Sequence, residues 1–363
     1  MNEFKILPLV LHKENNSLVD IEEIKRICNC GLDDCPPEDR SLAWLVLSGV
    51  HPLKPEKWGK IKYEMVKNYY LFVNDFGIVD FHEKIFPNST NDVNFGETID
   101  NDLMGLIHGD IIRTSHHIPF FSNPDRSISE LDSDILIPYH EHMRRIERIL
   151  YIFAKLNCSL SYLQGFNELI CPIFFVFMQS FEYFSNSFDI VEALSFYVFQ
   201  KLMSTTNLHE LFTTQDKSSI IMRRMDQYMS LLHHHFPNLH FVIHSFDIHP
   251  LVFAYPWMNL MFAQEYYMPN IVLIWDSILT HFDNLVEYIS YIAVATIKLL
   301  ENDIDPHDYI KTMTTLKKYR IDDIRSLLKL SNQLWMKDMN DDNCGFFHFV
   351  YHKIEQFTKT KIQ

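Results

Sequence analysis

Apolar side chains recur three or four positions apart along most of the chain, which is the spacing of one face of an α-helix. The strongest example covers residues 139–156, where one face is apolar and charged residues lie opposite. The two longest apolar runs, residues 169–178 and 288–300, are shorter than the roughly 18–20 residues that span a bilayer. We therefore expect buried core helices in these runs and an all-α fold for the chain.

The breaks between helices are also visible in the pattern. The N-terminal half is expected to contain helices over residues 18–28, from Pro36-Pro37 onward, over residues 58–73 and again from near Leu103. Polar stretches separate or follow these helices, and they contain too few apolar residues to be buried. We expect residues 87–102 and 122–138 to be irregular and residues 353–363 to fray.

Composition narrows the choice of fold and of partner. The 363 residues are 47% hydrophobic, which is enough for a large core, and 9 glycines are too few for most doubly wound α/β folds or barrels. The formal charge, 32 − 47 = −15, argues against nucleic-acid binding and against direct binding to an anionic membrane, because both need a basic face. Six cysteines without a paired framework and an N-terminus unlike a signal peptide predict a cytoplasmic protein with reduced thiols.

Candidate metal and covalent-catalysis sites are weak. His240 and His244 share a helix face, but no carboxylate has ligand spacing beside them, and we expect surface or core histidines. Cys28, Cys30 and Cys35 lack a fourth zinc ligand. Nucleophile elbows and phosphate-binding glycine loops are missing from the sequence, so we expect neither a metal nor a nucleotide cofactor of its own.

Two short polar motifs remain. In the first, Asp110 precedes Arg113 by three residues, so that on a helix the carboxylate can steady the guanidinium for contact with a phosphate. In the second, Gln164 precedes Gly165 on an expected loop, where a neutral amide could orient a water. Taken alone, each motif is more often a surface ion pair or a turn glutamine.

Together the motifs have a family pattern. Residues 107–114 and 162–165 resemble the IxxDxxRT and YxQG motifs of TBC-domain GTPase-activating proteins, which act on Rab GTPases. Arg40 and Trp44 match the family's opening motif, and the later Trp257, Trp275 and Asp276 match its downstream segments. The resemblance covers roughly residues 36–335 and is strongest to the branch called TBC domain family member 13.

The resemblance implies an all-α, V-shaped, two-lobed domain over residues 36–340, with lobes divided near residue 180. Residues 1–35 would form an N-terminal helix and loop, and residues 341–363 a tail. It implies a GTP-bound Rab as the partner, with GTP and Mg²⁺ held by that partner and vesicle trafficking as the process regulated. Membrane contact would be indirect, through the Rab.

The resemblance also assigns roles to residues. Arg113 matches the arginine finger and Gln164 the glutamine finger, both supplied in trans to accelerate GTP hydrolysis. The residues expected to support the two fingers are Asp110, Tyr162, Gly165, Thr114 and Asn167. The residues expected to support the fold around the site are Arg40, Trp44, Trp257, Trp275 and Asp276.

The chain departs from the family pattern at positions away from both fingers. Phe166 replaces a usual Met, and Gln264 and Leu273 stand where Arg is common; Tyr255-Pro256 before Trp257 is also atypical. These departures affect the expected partner choice or local packing. The alternative function is a non-catalytic Rab-binding scaffold on the same fold, but retention of both fingers favours the activator.

Overall fold

The computed structural model describes residues 3–11, 18–86, 93–114, 133–212 and 217–340. These described residues contain α-helices, short 3₁₀ turns and loops but no β-strand, so the predicted all-α fold is confirmed. The α-helices are α1 Leu7–Leu11, α2 Ile21–Cys28, α3 Pro37–Leu47, α4 Trp58–Asp75, α5 Asn101–Ile111, α6 Ser133–Leu156, α7 Phe166–Gln179, α8 Phe188–Thr205, α9 Lys217–His235, α10 Pro237–Ser245, α11 Ala254–Asn259, α12 Met268–Leu279, α13 Leu285–Leu299, α14 Tyr309–Lys317 and α15 Ile324–Asn340.

Local sequence explains where the early helices begin. Asp20 caps α2 by accepting a hydrogen bond from the N–H of Glu23 at 3.1 Å, and Asp100 caps α5 through the N–H of Leu103 at 3.2 Å. Pro37 occupies the first position of α3, where its missing N–H has no intrahelical partner to lose. These three helices lie where the hydrophobic spacing predicts them, within a few residues.

Helix α6 begins earlier than the sequence predicts. Residues 133–138 have helical backbone, so the prediction of an irregular stretch up to residue 138 is wrong for this part. Pro138 removes one backbone hydrogen bond but does not end the helix. The remainder of that stretch, residues 122–132, lies outside the described residues, as do residues 87–92 of the first polar stretch and the C-terminal residues 341–363.

The charged side of α6 is buried. Arg148 binds both carboxylate oxygens of Glu192 on α8, at 2.6 and 2.7 Å, and Arg145 binds the same carboxylate at 2.8 Å. Tyr69 on α4 donates a further hydrogen bond to Glu192 at 2.6 Å. Burial raises the pKa of Glu192, but the two arginines outweigh it and hold that pKa below its ordinary value. The amphipathic pattern therefore marks two buried faces, one apolar and one built from ion pairs.

The two apolar runs form buried helices, as expected. Every residue from Phe166 to Phe174 in α7 is buried, and most of α13 is buried as well. Within the described residues, no helix is both long enough and apolar enough to cross a membrane.

The chain divides into two compact units. The first comprises residues 1–222 with 256–285, and the second residues 223–255 with 286–363. Within the second unit, Tyr288 on α13 donates a hydrogen bond to Asn332 on α15 at 2.9 Å, which joins two of its helices. The residues of both motifs lie in the first unit, and the expected lobe boundary near residue 180 stays a prediction.

Candidate functional site

The first motif lies where α5 ends. Arg113 follows the last turn of the helix, and its Nη2 atom donates a hydrogen bond to Oδ1 of Asp110 at 2.6 Å. The Arg113 side chain is 64% exposed, whereas that of Asp110 is 10% exposed. The carboxylate therefore sits in the protein wall while the guanidinium that it holds remains open to solvent.

A second residue fixes the carboxylate. The hydroxyl of Tyr162 donates a hydrogen bond to Oδ2 of Asp110 at 2.7 Å. Burial raises the pKa of Tyr162, and the neighbouring Asp110 raises it further, so the phenol keeps its proton. Because Asp110 uses one oxygen for Arg113 and the other for Tyr162, its orientation is set before any ligand is present.

Asn167 and Thr114 close the network between the two motifs. The Asn167 amide donates to the hydroxyl of Thr114 at 3.1 Å, and Thr114 donates to the main-chain oxygen of Asp110 at 3.1 Å. Oδ1 of Asn167 accepts the N–H of Gly165 at 3.2 Å. The end of α5 and the loop before α7 are thus joined through side chains predicted to support the fingers.

The Gly165 position requires glycine. Its φ is +106°, and an added Cβ would lie 2.8 Å from Cδ2 of Leu260 and 3.2 Å from Cε1 of Phe212. Any L-residue would meet both backbone strain and a clash there. Sequence reasoning missed Leu260 and Phe212, which are close to Gly165 in space but far from it in sequence and carry no local signal.

The departures from the family pattern lie in packing and in one side-chain link. Phe166 is buried among aromatic rings, 5.0 Å from Phe212 and 5.9 Å from Tyr162 between ring centroids. Gln264 donates a hydrogen bond to Glu168 at 3.2 Å, and Glu168 follows the network residue Asn167. A residue that departs from the family pattern therefore contacts the first turn of α7, next to the network residue Asn167.

Arg113 and Gln164 line the same open groove, whose volume is about 750 Å³. Gln164 is exposed and precedes the constrained Gly165, so its side chain is carried by a loop whose next residue has little freedom. The exposed Asp102 also lines the groove, while Arg113 and Gln164 present one steadied cation and one neutral amide. This arrangement suits a ligand with clustered negative charge and a water near it.

The other residues singled out from the sequence form a separate cluster. Oδ1 of Asp276 accepts hydrogen bonds from Nε1 of Trp44 at 2.8 Å and from Nε of Arg40 at 3.1 Å, and Oδ2 accepts the N–H of Leu32 at 2.7 Å. Burial raises the pKa of Asp276, and Arg40 opposes that rise. Trp275 stacks on Trp44 with ring centroids 5.7 Å apart. The contact with Leu32 was not predicted.

Trp275 and Trp257 also support a strained turn. Met261 and Phe262 have φ values of 51° and 62°, which are unusual for residues other than glycine. The indole N–H of Trp275 bonds to the main-chain oxygen of Met261 at 3.0 Å, and Trp257 stacks on Phe262. The residue before this turn is Leu260, which packs beside Gly165. The two tryptophans therefore stabilise the segment that packs against Gly165.

The two histidines singled out from the sequence lie in the second unit. His240 and His244 stack with ring centroids 5.7 Å apart, and burial lowers the pKa of His240. In the part of the chain that the structure describes, one group brings three ligand atoms within 4.8 Å of one another, namely His234, His235 and Asp338. His235 and Asp338 already form a hydrogen bond at 2.9 Å, which accounts for the geometry. That the chain binds no metal stays a prediction.

Comparison with known proteins identifies the family of the chain. The Rab-GTPase-TBC domain model matches residues 38–304, which include both motifs as well as Arg40, Trp44 and Asp276. Human TBC1 domain family member 13 is 28% identical over 193 residues, covering 53% of this chain and 48% of the human protein. Human TBC1 domain family member 22B is 25% identical over 305 residues, covering 80% of this chain and 52% of that protein. The chain thus spans about half the length of these relatives.

Solved structures agree on the fold. The Ypt/Rab-GAP domain of Gyp1p is similar with a TM-score of 0.69 and 19% identity, over 91% of this chain and 96% of that domain. A flagellar RabGAP TBC domain of Chlamydomonas has a TM-score of 0.54 and 14% identity, over 85% of this chain and 83% of that one. The match of the family model over most of the chain shows that this protein belongs to the Rab-GTPase-TBC domain family and resembles the branch of TBC1 domain family member 13.

Proposed function

We propose that this protein is a GTPase-activating protein for a Rab-family GTPase and supplies Arg113 and Gln164 in trans. The observation that carries the proposal is that both side chains line one groove while Asp110 and Tyr162 hold the arginine. The proposal also draws on family membership and on relatives named as Rab-GAP domains.

The chemistry follows from the charge that develops during phosphoryl transfer. Negative charge grows on the γ-phosphate oxygens and the bridging oxygen, and a guanidinium aimed there lowers the barrier. Arginine fingers supplied in trans accelerate hydrolysis by roughly 10³–10⁵, which corresponds to ~4–7 kcal/mol. Gln164 would orient the attacking water through an amide that both donates and accepts hydrogen bonds.

The division of labour assigns the nucleotide to the partner. GTP and Mg²⁺ would be bound by the Rab, and this chain would bring no cofactor of its own. The GTP-bound state would be the form recognised, because the γ-phosphate is the group that Arg113 reaches. Regulation of vesicle trafficking from the cytoplasm, with membrane contact through the Rab, is part of the same proposal.

Phosphate release from a panel of GTP-loaded Rabs tests the proposal. We expect wild-type protein to accelerate one or a few of them, and Arg113→Ala and Gln164→Ala each to abolish the acceleration without loss of fold. Binding to GTP-locked Rabs without acceleration would support the scaffold alternative instead.

The chain offers a close control for the arginine variant. Arg26 is also exposed, at 71%, and forms an ion pair three residues apart, with Glu23 at 2.6 Å. Arg26→Ala removes the same type of charge and contact away from the groove, so its acceleration should equal that of the wild type. For Gln164 the control is Gln179→Ala, which changes an exposed glutamine at the other end of α7.

A further inference from the structure

One large apolar side chain stands exposed on the face of α5 that lines the groove. Leu106 is 64% exposed although its neighbours Met104 and Ile107 are fully buried. It precedes Arg113 by seven residues, which is two helical turns or about 10 Å. Leu106 and Arg113 line the same groove. Its exposed apolar surface is therefore available for burial by whatever binds in the groove.

The residue before it has no side chain. Gly105 lies inside α5, and an added Cβ would meet no atom within 4 Å. Packing within the chain therefore does not require glycine here. Glycine inside a helix costs roughly 0.5–1 kcal/mol relative to alanine, and close approach of another main chain is one reason to accept that cost. Gly105 also lines the groove.

Position then identifies what covers this pair. A GTPase whose γ-phosphate reaches Arg113 must extend along the groove, because a folded partner is much wider than 10 Å. Its surface beside the nucleotide would lie over Leu106 and Gly105. Leu163, next to Gln164, adds apolar surface to the same groove.

We infer that Leu106 and Gly105 select the partner GTPase: Leu106 packs against an apolar side chain beside the partner's nucleotide, and Gly105 leaves room for its main chain. This inference rests on the proposed function, because it takes the occupant of the groove to be the GTPase. It assigns partner choice to a surface that touches no phosphate. Rabs with a polar or larger residue at the facing position would be accelerated poorly.

Leu106→Ala tests the apolar contact. Using the GTP-loaded Rab that wild-type protein accelerates or binds most strongly, we expect the half-saturating concentration to rise roughly five- to twenty-fold. The rate at saturation should stay unchanged, because the contact is made equally before and during reaction. Leu71→Ala is the control, since Leu71 is a 48% exposed leucine on α4.

Gly105→Ala tests the close approach with opposite effects on stability and function. The melting temperature should rise, because alanine favours the helix and the added methyl has open space. The half-saturating concentration should rise as well, because the methyl would meet the partner. Gly59→Ala on α4, where a Cβ also meets nothing within 4 Å, should leave the half-saturating concentration unchanged.

The outcomes separate this inference from the proposed function. If wild-type protein accelerates a Rab while both variants keep its half-saturating concentration, the inference is wrong and the function stands. If the wild type binds a GTP-loaded Rab without acceleration and Leu106→Ala weakens that binding, the contact stands and catalysis fails. If it neither accelerates nor binds any member of the panel, both are overturned.

Discussion

Two aspartates in the first unit each hold an arginine, and the pairs differ in where the arginine ends. Asp276 is fully buried and its partner Arg40 is 13% exposed, whereas Asp110 is 10% exposed and its partner Arg113 is 64% exposed. Asp276 also accepts hydrogen bonds from Trp44 and from the main chain of Leu32. The Asp276–Arg40 pair thus joins segments of the fold, whereas the Asp110–Arg113 pair presents a cation to the groove.

The exposure of an ion pair decides whether it contributes to stability or to the orientation of a side chain. In a buried pair, loss of one partner leaves the other without its opposite charge inside the protein, so each depends on the other for stability. A half-exposed pair adds little stability, because water solvates the arginine in any case. Its value is orientation. Each pair should therefore respond to mutation through a different measurable property.

The largest effect on stability is expected at the buried pair. Asp276→Ala would leave Nε of Arg40, the Trp44 indole N–H and the Leu32 N–H without their acceptor and the Arg40 charge without its partner, at a cost of about 3–5 kcal/mol. Urea denaturation would measure it. Asp276→Asn, which keeps one acceptor oxygen, should lose less; equal losses would contradict the view that hydrogen bonding to this oxygen cluster matters.

Asp110→Asn should have the opposite effect, with little loss of stability and slower hydrolysis. We expect the free energy of unfolding to fall by less than about 1 kcal/mol, because Arg113 is exposed. GTP hydrolysis at saturating protein should slow about 10–100-fold, since the guanidinium loses its fixed aim. Single-turnover phosphate release measures the rate. A large loss of stability with an unchanged rate would reverse the roles assigned to the two aspartates.

Glu265 provides a third carboxylate, and its environment differs from both. Burial raises its pKa to about 7 from an ordinary value of 4.5. A carboxyl with a raised folded-state pKa stabilises the protein fully below the unfolded value, and this contribution is lost as pH rises toward the folded value.

We therefore expect wild-type stability relative to Glu265→Gln to fall between about pH 4.5 and pH 7, by roughly 1–3 kcal/mol. Thermal unfolding of both proteins across this range would measure the difference. Parallel curves for the two proteins would show that Glu265 titrates normally.

Tyr162→Phe should slow hydrolysis less than Asp110→Asn does. It removes the hydrogen bond to Oδ2 of Asp110 and keeps the ring that packs on Phe166. The expected cost is about 1 kcal/mol of stability and a several-fold slower hydrolysis rate. Urea denaturation and phosphate release on one preparation would compare the two losses, and a rate equal to wild type would show that Asp110 needs no second partner.

The sequence predicted the all-α fold and the positions of several helices, because the burial of one helix face leaves apolar residues at helical spacing. It also predicted contact between Asp110 and Arg113, since three residues on a helix bring side chains together. It did not reveal that the charged side of α6 is buried, because spacing alone does not distinguish a solvent face from a buried ionic one. The buried Arg148 pairs with Glu192, which lies 44 residues later in the sequence.

The site shows the same limit. Tyr162 reaches Asp110 across 52 residues, and spacing carries no sign of that contact; family resemblance brought the two motifs together. Resemblance did not indicate that Leu260 packs beside Gly165 or that Gln264 binds Glu168. Such contacts depend on how helices pack, which a linear pattern does not contain.

The Glu192 cluster has a consequence for how this sequence can change over generations. One carboxylate serves Arg145, Arg148 and Tyr69, so replacing Glu192 removes an acceptor from all three at once. We expect a single substitution of Glu192 to be more destabilising than a joint replacement of the carboxylate and its arginines by apolar residues. Positions on α4, α6 and α8 should therefore vary as a set among descendants of this chain, while exposed positions outside the groove, such as Leu71, can change one at a time.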